Sequence, residues 1–269
     1  MKTLVMKFGG ASVASPELFA RVADIIMSRQ EEYSRVVVVV SAMEGSTNQL
    51  LELAGKVHSS PPRRELDMLI SVGERISISL LAMALSLKGV DAISLTGSQS
   101  GILTSSKHSE ARVLTVKPSR IFKHLSEGKV VIVAGFQGVS ESGEITTLGR
   151  GGSDTSAVAL GVALGATKVE FFKDVDGIYT EDPKTQKNAK HLPSLDYEQA
   201  LEIIRKGAKI LHARAVELAE KNNLPLHILS FVTFEQENRS ETIIKSSLLN
   251  EHSCTMPIYE SRDDHGDFF

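Results

Sequence analysis

Five consecutive valines at positions 36–40 constrain the fold of this chain more than any other feature. β-Branched side chains favour a strand, and a run without polar alternation indicates a strand that is covered on both faces. Residues 130–134, 169–172 and 226–229 follow the same pattern. Strands of this kind occur in parallel sheets, so the runs predict a mostly parallel sheet with a layer of helices on each side.

Helix-forming stretches alternate with these runs. In the first, Ser15, Pro16 and Glu17 supply an N-cap, a proline at the first helical position and a first-turn acid. Repeated strand–helix–strand units connect by right-handed crossovers, so we predict an α/β fold, a three-layer αβα sandwich. Residues 141–144 are predicted to turn a hairpin. The predicted helices span residues 17–33, 64–87, 117–127, 152–164 and 208–222.

Composition excludes several classes of protein. A chain of 269 residues with 42% hydrophobic and 23% charged residues is typical of one globular domain. A net charge of −3 argues against a general nucleic-acid surface, and no apolar run reaches the roughly 18 residues that span a bilayer. The N-terminus lacks the apolar stretch of a signal peptide, and a single cysteine, Cys254, fits a reducing compartment. We expect a cytoplasmic protein without a membrane or nucleic-acid partner.

Residues 147–154, with the sequence TLGRGGSD, combine three glycines with a guanidinium, a hydroxyl and a carboxylate within eight residues. They are called the TLGRGGSD segment below. Its glycines let backbone N–H groups approach an anion, and Arg150 offers a planar fork that fits a carboxylate or a phosphate. The helix that follows adds partial positive charge at its N-terminus. A flexible glycine turn is the plain alternative interpretation.

A second glycine signature closes the first predicted strand. Lys7 precedes Gly9 and Gly10, so its ammonium is expected to project from the strand end over the glycine backbone. The pattern matches neither the dinucleotide-binding fingerprint nor the P-loop, but it suits a bound phosphoryl group. Functional sites in open parallel sheets lie at the carboxyl ends of the strands, where both glycine signatures fall.

Together with the segments between and after them, these signatures resemble the amino acid kinase superfamily and, within it, the aspartate kinases. The resemblance runs in the family's order from residue 2 to about residue 244 and implies the amino acid kinase, or carbamate kinase-like, fold for residues 1–244. The matching segments are KFGGAS at 7–12, SAMEGSTN at 41–48, GE at 73–74, GFQG at 135–138, the TLGRGGSD segment, DVDGIYTEDP at 174–183 and GAKILH at 207–212.

The resemblance implies transfer of the γ-phosphoryl group of ATP to the side-chain carboxylate of L-aspartate. It implies that Lys7 and Lys209 neutralise the moving phosphoryl group and that Asp154 orients both lysines, since such transfers depend on positioning and charge neutralisation. Mg²⁺ is expected to arrive with ATP, because no cluster of carboxylates in the sequence indicates a metal site of the protein itself. The family also tends to form homodimers.

Aspartate recognition needs groups that complement two carboxylates and an ammonium. Arg150 is predicted to hold a carboxylate. Glu74 is predicted to bind the ammonium, because an acid within an otherwise apolar and small stretch needs a partner. Hydroxyl and backbone groups carried over from the matching segments complete the predicted substrate site: Ser41, Thr47, Gly152 and Ser153. Ser41 and Thr47 are alternatively loop caps.

The ATP site implied by the resemblance includes Lys7, Gly9, Gly10 and Lys209, and it continues along residues 173–184. Asp174 is expected near the ribose or the phosphate-bound metal, and Tyr179 near the base. Lys173 stands where the family usually has Thr, Tyr or Ser, and Lys184 replaces the usual arginine. A lysine keeps the charge and loses the guanidinium fork, so Lys184 is expected to bind phosphate with less geometric control.

The resemblance ends near residue 244, and residues 245–269 are predicted to form a mobile C-terminal extension. Aspartate kinases typically continue into small regulatory domains that sense end-product amino acids, and about 25 residues are too few for one such unit. We therefore expect a catalytic domain alone that is not inhibited by lysine or threonine through that route.

Two alternatives stay open at this stage. One is another superfamily member that phosphorylates acetylglutamate, glutamate or a nucleoside monophosphate. The other is a non-catalytic relative that binds nucleotide or another subunit. The TLGRGGSD and Ser-Ala-Met segments favour aspartate as the acceptor, while intact Lys7, Asp154 and Lys209 favour catalysis.

Overall fold

The computed structural model describes residues 1–181, 186, 188–208, 210–234, 236, 240–247 and 256–261. Its strands are β1 Thr3–Phe8, β2 Arg35–Val40, β3 Ala92–Leu95, β4 Ile102–Thr104, β5 Val113–Val116, β6 Val130–Ala134, β7 Gln137–Ser140, β8 Ile145–Thr147, β9 Lys168–Lys173, β10 Ile178–Tyr179, β11 His191–Leu192, β12 Ser194–Leu195, β13 Leu226–Ser230 and β14 Glu241–Ile244. Its helices are α1 Pro16–Gln30, α2 Ser46–Val57, α3 Arg63–Ile70, α4 Val72–Leu87, α5 Ser119–Ser126, α6 Gly152–Ala163, α7 Tyr197–Arg205 and α8 Ala213–Lys221, with a 3-10 turn at Gly10–Val13.

The central sheet has eight strands in the order β12-β14-β13-β9-β1-β2-β6-β3. Its pairs are parallel except for β13 with β14. The valines of β2 alternate between its two faces: Val37 and Val39 pack in the core beneath α5 to α8, and Val36, Val38 and Val40 pack beneath α1 and α4. The predicted mostly parallel αβα sandwich is therefore confirmed.

A smaller sheet has its strands in the order β5-β4-β7-β8 and leads directly into the TLGRGGSD segment. Its β7–β8 hairpin confirms the turn predicted at residues 141–144, and Gly143 adopts a φ of 85° there. Strand β8 ends at Thr147, the first residue of the segment, and α6 begins five residues later at Gly152. The segment is thus the connection between the small sheet and the helix that covers the large one.

Helix boundaries depart from the predictions at two places. The predicted helix 64–87 is divided into α3 and α4, and the carbonyl of Ser71 between them accepts a hydrogen bond from Gln137 Nε2 at 2.9 Å. The predicted start at residue 208 is wrong: Gly207 has a φ of 109°, and α8 begins only after an extended N-cap residue, His212. Both boundaries follow from contacts and backbone angles that helical periodicity does not encode.

Sequence reasoning predicted neither α2 nor α7, although the start of α7 carries a recognisable signal. Asp196 Oδ1 accepts a hydrogen bond from the Gln199 backbone at 2.8 Å, and Gln199 Oε1 accepts one from the Asp196 backbone at 3.0 Å. This reciprocal pair is a capping box, which the spacing of Asp196 and Gln199 already contained.

The stretch Arg63–Leu87 is, among the described helices, long and apolar enough by composition to cross a membrane. It nevertheless contains two buried carboxylates, Asp67 and Glu74, and α4 packs against α1 and β6. One face of the stretch therefore packs in the core, and apolar residues such as Met83 and Leu87 are exposed on the other.

Part of the predicted C-terminal extension contacts the domain. The backbone N–H of Glu260 donates a hydrogen bond to the carbonyl of Val113 in β5 at 3.1 Å, and the Tyr259 ring packs against the core. The domain boundary at residue 244 stays a prediction.

Candidate active site

Three charged side chains meet at the carboxyl ends of β1 and β9. Lys7 is the penultimate residue of β1, Lys173 ends β9, and Asp154 lies in the first turn of α6. Lys7 Nζ is 2.7 Å from Asp154 Oδ1, and Lys173 Nζ is 3.6 Å from Asp154 Oδ2. One buried carboxylate therefore holds two ammonium groups side by side, with the positive end of α6 at the same place.

The electrostatics of this cluster favour an ionised carboxylate. Burial raises the pKa of Asp154, but attraction to Lys173 and Lys7 outweighs that effect and lowers it to about 2. Burial lowers the pKa of Lys173 to about 8; Asp154 opposes this change, and repulsion from Lys7 adds to it. At neutral pH the cluster thus carries one negative and two positive groups, and an incoming anion would balance the excess positive charge.

The predicted pair of Lys7 with Asp154 is present, while the predicted Lys209 lies outside the described residues. Lys184 lies outside them as well. Among the described residues, the second cation on Asp154 is Lys173, which was predicted only to bind ATP. The catalytic roles of Lys7, Asp154 and Lys209 stay predictions.

Glycine backbone lines the space next to the cluster. Gly9 follows β1 and precedes the 3-10 turn that begins at Gly10; a Cβ on Gly9 would lie 3.6 Å from Lys7 Nζ. Gly149 and Gly151 flank Arg150 with φ values of 74° and 68°. Side chains at these two positions would be strained, because the left-handed region suits glycine and because a Cβ on Gly151 would overlap His212.

Glu74 is a second buried carboxylate, one strand away from the lysine cluster. It lies in α4, and its Oε1 accepts a hydrogen bond at 3.2 Å from the N–H of Ala42, just beyond β2. Its Oε2 has no hydrogen-bond partner among the described residues. Burial raises the pKa of Glu74 to about 7, while backbone N–H groups lower it in part. A cationic ligand at Oε2 would supply the missing partner.

The remaining predicted substrate residues lie just after β2, in the first turns of α2 and α6, and in the segment before α6. The N–H of Ser41 donates to the carbonyl of Phe8 at 3.1 Å and so joins the ends of β1 and β2. Gly152 and Ser153 are buried in the first turn of α6, Thr47 is half-buried in the first turn of α2, and Arg150 is exposed. The exposed guanidinium of Arg150 is accessible to an anionic ligand.

The predicted nucleotide residues continue from the end of β9. Asp174 follows Lys173 directly, and its negative charge offsets a small part of the lowering of the Lys173 pKa by burial. The Tyr179 hydroxyl donates a hydrogen bond to Asp176 Oδ1 at 2.7 Å, which raises the pKa of Tyr179 to about 12. Its ring stands edge-on to His191, with 5.3 Å between centroids. Contacts of these residues with a nucleotide stay predictions.

Asp67 supports the TLGRGGSD segment and was missed by sequence reasoning. Its buried carboxylate in α3 accepts hydrogen bonds from Thr147 Oγ1 at 2.6 Å and from the Thr147 N–H at 3.1 Å. It also accepts from Ser109 N–H and contacts His108 Nδ1 at 2.9 Å. The sequence signal was available: an acid between apolar residues 66 and 68–70 needs partners, as Glu74 does.

The described part of the chain contains no cluster of potential metal ligands. No group of three or more His, Cys, Asp or Glu side chains there is arranged to hold an ion. Asp154 is already engaged by two lysines.

Known proteins resemble this chain in sequence over most of its length. The amino acid kinase family model matches residues 2–230. The aspartokinase of Bacillus sp. (strain MGA3) is 47% identical over 256 residues, which are 95% of this chain and 61% of that protein. This chain therefore spans about three fifths of the length of that relative.

Solved structures of aspartate kinases superpose on this chain. The aspartate kinase from Synechocystis superposes with a TM-score of 0.79 at 45% identity, over 90% of this chain and 40% of that one. E. coli aspartokinase III, solved in complex with aspartate and ADP, superposes with a TM-score of 0.78 at 27% identity, over 91% of this chain and 65% of that one.

Proposed function

Because this chain belongs to the amino acid kinase family, we propose that it transfers the γ-phosphoryl group of ATP to the side-chain carboxylate of L-aspartate, giving 4-phospho-L-aspartate. The observation that carries the proposal is the Lys7–Asp154–Lys173 cluster beside the Gly9–Gly10 backbone. The choice of aspartate is supported by the aspartokinase relatives, one of which was solved with aspartate and ADP.

The reaction needs little proton chemistry. An oxygen of the aspartate side chain, already ionised at neutral pH, attacks the γ-phosphorus, and the bond from phosphorus to the β,γ-bridging oxygen breaks to release ADP. Lys7 and Lys173 neutralise charge on the transferring group and on the leaving oxygen. Asp154 keeps both ammonium groups in place, and with a pKa of about 2 it does so as a carboxylate rather than as an acid.

The acceptor is held by charges of both signs. Oε2 of Glu74, which has no hydrogen-bond partner within the described part of the chain, receives the α-ammonium of aspartate, and Arg150 takes the α-carboxylate with its planar fork. Hydroxyl and N–H groups from the ends of β2 and α6 complete the site: Ser41, Thr47, Gly152 and Ser153. A substrate without an α-ammonium would leave Glu74 unpaired, which disfavours acetylglutamate and nucleoside monophosphates.

ATP is proposed to bind as its Mg²⁺ complex along the residues that follow β9. Asp174, beside Lys173, is a suitable partner for the metal shell or the ribose, and the half-buried ring of Tyr179 offers a surface for the base. Lys184 and Lys209 are proposed to extend the phosphate site. The ion supplies further charge neutralisation when it is bound.

Assembly and location are also proposed. We propose a homodimer, supported by exposed apolar residues that recur at helical spacing along α4: Val72, Ile76, Met83 and Leu87. We propose that it acts in the cytoplasm, which agrees with a single cysteine.

A hydroxamate assay tests the reaction. Purified protein is incubated with MgATP, aspartate and hydroxylamine, which traps an acyl phosphate as a coloured hydroxamate. We expect colour with aspartate and none with acetylglutamate or glutamate. ATP binding without colour for any acceptor would contradict the proposal and favour a partner-dependent or non-catalytic subunit.

The pH dependence of kcat/KM for aspartate is expected to be bell-shaped with limbs near pH 7 and pH 8. Glu74 must be ionised to bind an ammonium, so activity rises as the pH passes its pKa of about 7. Lys173 must be protonated to stabilise the phosphoryl group, so activity falls above its pKa of about 8. Initial rates between pH 5.5 and 9.5 measure the profile.

Two variants assign these limbs. Glu74→Gln is expected to remove the acid limb and Lys173→Met the alkaline limb from whatever activity remains. Lys206→Met, at an exposed lysine of the α7 C-terminus, is the control. Limbs that persist unchanged in both variants would show that other groups titrate.

A further inference from the structure

Residues 256–261 lie against the catalytic domain, although the proposed reaction does not use them. Glu260 N–H donates to the carbonyl of Val113 in β5 at 3.1 Å. The side chain of Asn222, just after α8, donates to the carbonyl of Ile258 at 2.8 Å and accepts from its N–H at 2.9 Å. This short segment is therefore fixed at two places, one on β5 and one beside α8.

The Glu260 carboxylate makes a two-point ion pair with a buried arginine of α8. Its Oε1 accepts from Arg214 Nε at 2.8 Å, and its Oε2 accepts from Arg214 Nη2 at 3.0 Å. Oε2 also accepts from the N–H of Val113 at 2.7 Å, and Arg112 lies 3.4 Å from Oε1. Both partners of the pair are 8% exposed as side chains, so solvent screens the interaction little.

The same guanidinium holds the backbone of the TLGRGGSD segment. Arg214 Nη1 donates to the carbonyl of Leu148 at 2.6 Å, and Nη2 donates to the carbonyl of Ala111 at 3.1 Å. The carboxylate of Glu260 fixes the plane of the guanidinium, and that plane fixes where Nη1 points. Leu148 is two residues before Arg150.

We propose that Glu260 is a positioning residue for aspartate binding: acting through Arg214, it holds the Leu148 carbonyl and thereby places Arg150. Asp67 holds the preceding residue, Thr147, from α3, so consecutive residues of the segment are each fixed by a buried charged group. The effect on aspartate rests on the proposed function, whereas the restraint on the segment does not.

The proposal predicts that loss of Glu260 affects aspartate binding in particular, and not only the stability of the fold. Loss of Glu260 leaves the Arg214 guanidinium with donors that lack a partner, so the side chain is expected to turn toward water and release Leu148. Lys7 and Lys173 do not contact this network and are held by Asp154. The proposal therefore predicts an effect on aspartate that ATP does not share.

Glu260→Gln tests the restraint by amide hydrogen exchange and by steady-state kinetics. The amides to follow are those of Leu148 and Gly152, which are bonded to the carbonyls of Phe136 and Gly149. We expect about tenfold faster exchange at both, about tenfold higher KM for aspartate, and a KM for ATP within about twofold of the wild-type value. Glu202→Gln, at an exposed acid of α7, is the matched control and should change neither readout.

The outcomes are distinguishable. A lower unfolding temperature with exchange and aspartate KM equal to those of the control would overturn the proposal. If Glu260→Gln does not fold, Glu260→Asp keeps the charge with a reach one methylene shorter. It should move both readouts in the same direction by a smaller factor, and unchanged readouts would overturn the proposal. Exchange needs no turnover, so an inactive wild-type chain would contradict the proposed function and leave this test intact.

Discussion

Lys7→Met is expected to lower kcat for phosphoryl transfer to aspartate by on the order of 10²–10³-fold. That is the usual loss when one preorganised donor to a developing negative charge is removed. Methionine keeps the length and fills the same buried volume, and Asp154 retains Lys173 as a partner at 3.6 Å, so the variant is expected to fold. The hydroxamate assay gives kcat, and thermal unfolding checks the fold.

The matched control is Lys56→Met, an exposed lysine in the last turn of α2, which should keep the wild-type rate. Binding of ATP to the Lys7→Met protein, measured by calorimetry, is expected to weaken by a smaller factor than kcat, because the lysine matters most when charge moves. A folded variant with wild-type kcat would remove Lys7 from the reaction and leave Lys173 as the cation of the cluster.

Glu74→Gln is expected to raise KM for aspartate about 10- to 100-fold. The carboxylate lies in α4, and one of its oxygens lacks a partner among the residues that the structure describes. A buried charged hydrogen bond to the substrate ammonium is worth about 1.5–3 kcal/mol. Glutamine keeps the shape and the bond from the Ala42 N–H but offers no charge. Saturation curves for aspartate and for ATP measure the effect, and KM for ATP should not change.

The thermal stability of Glu74→Gln is expected to stay the same or to rise, although its binding of aspartate weakens. Burial raises the pKa of Glu74 to about 7, above its ordinary value, so ionisation costs folding stability as the pH rises from about 4.5 through 7. Glu74→Gln removes that cost, so its unfolding temperature at pH 8 should equal or exceed that of the wild type. Glu198→Gln, at an exposed acid of α7, is the control. A marked drop at pH 8 would indicate a structural pairing instead.

The pattern of apolar residues determined the layers of the fold. The valines of β2 bury alternate side chains against the two helix layers, as an unbroken β-branched run requires. The positions of the helix ends were harder to predict from the sequence. Ser71 interrupts a continuous helical pattern where its carbonyl accepts from Gln137, a residue 66 positions away that sequence periodicity cannot relate to it.

The candidate site shows the same division. Lys7 and Glu74 were identified from their local surroundings, a lysine before paired glycines and an acid in an apolar stretch, and Asp154 was identified from the resemblance of the TLGRGGSD segment to the family. Their mutual geometry was not. Strands β1 and β9 are neighbours in the sheet although about 160 residues separate them, and that pairing is what brings Lys173 to Asp154.

The sequence by itself determined the layers of the fold, the glycine turns and which side chains carry charge where apolar residues are expected, because these depend on periodicity and on backbone freedom over a few residues. The tertiary structure decided which charges share a partner. Asp154 forms an ion pair with Lys173, Asp67 accepts a hydrogen bond from Thr147, and Glu260 forms an ion pair with Arg214. Ionic contacts of this kind act over a few ångströms in space, and the chain order does not fix such distances.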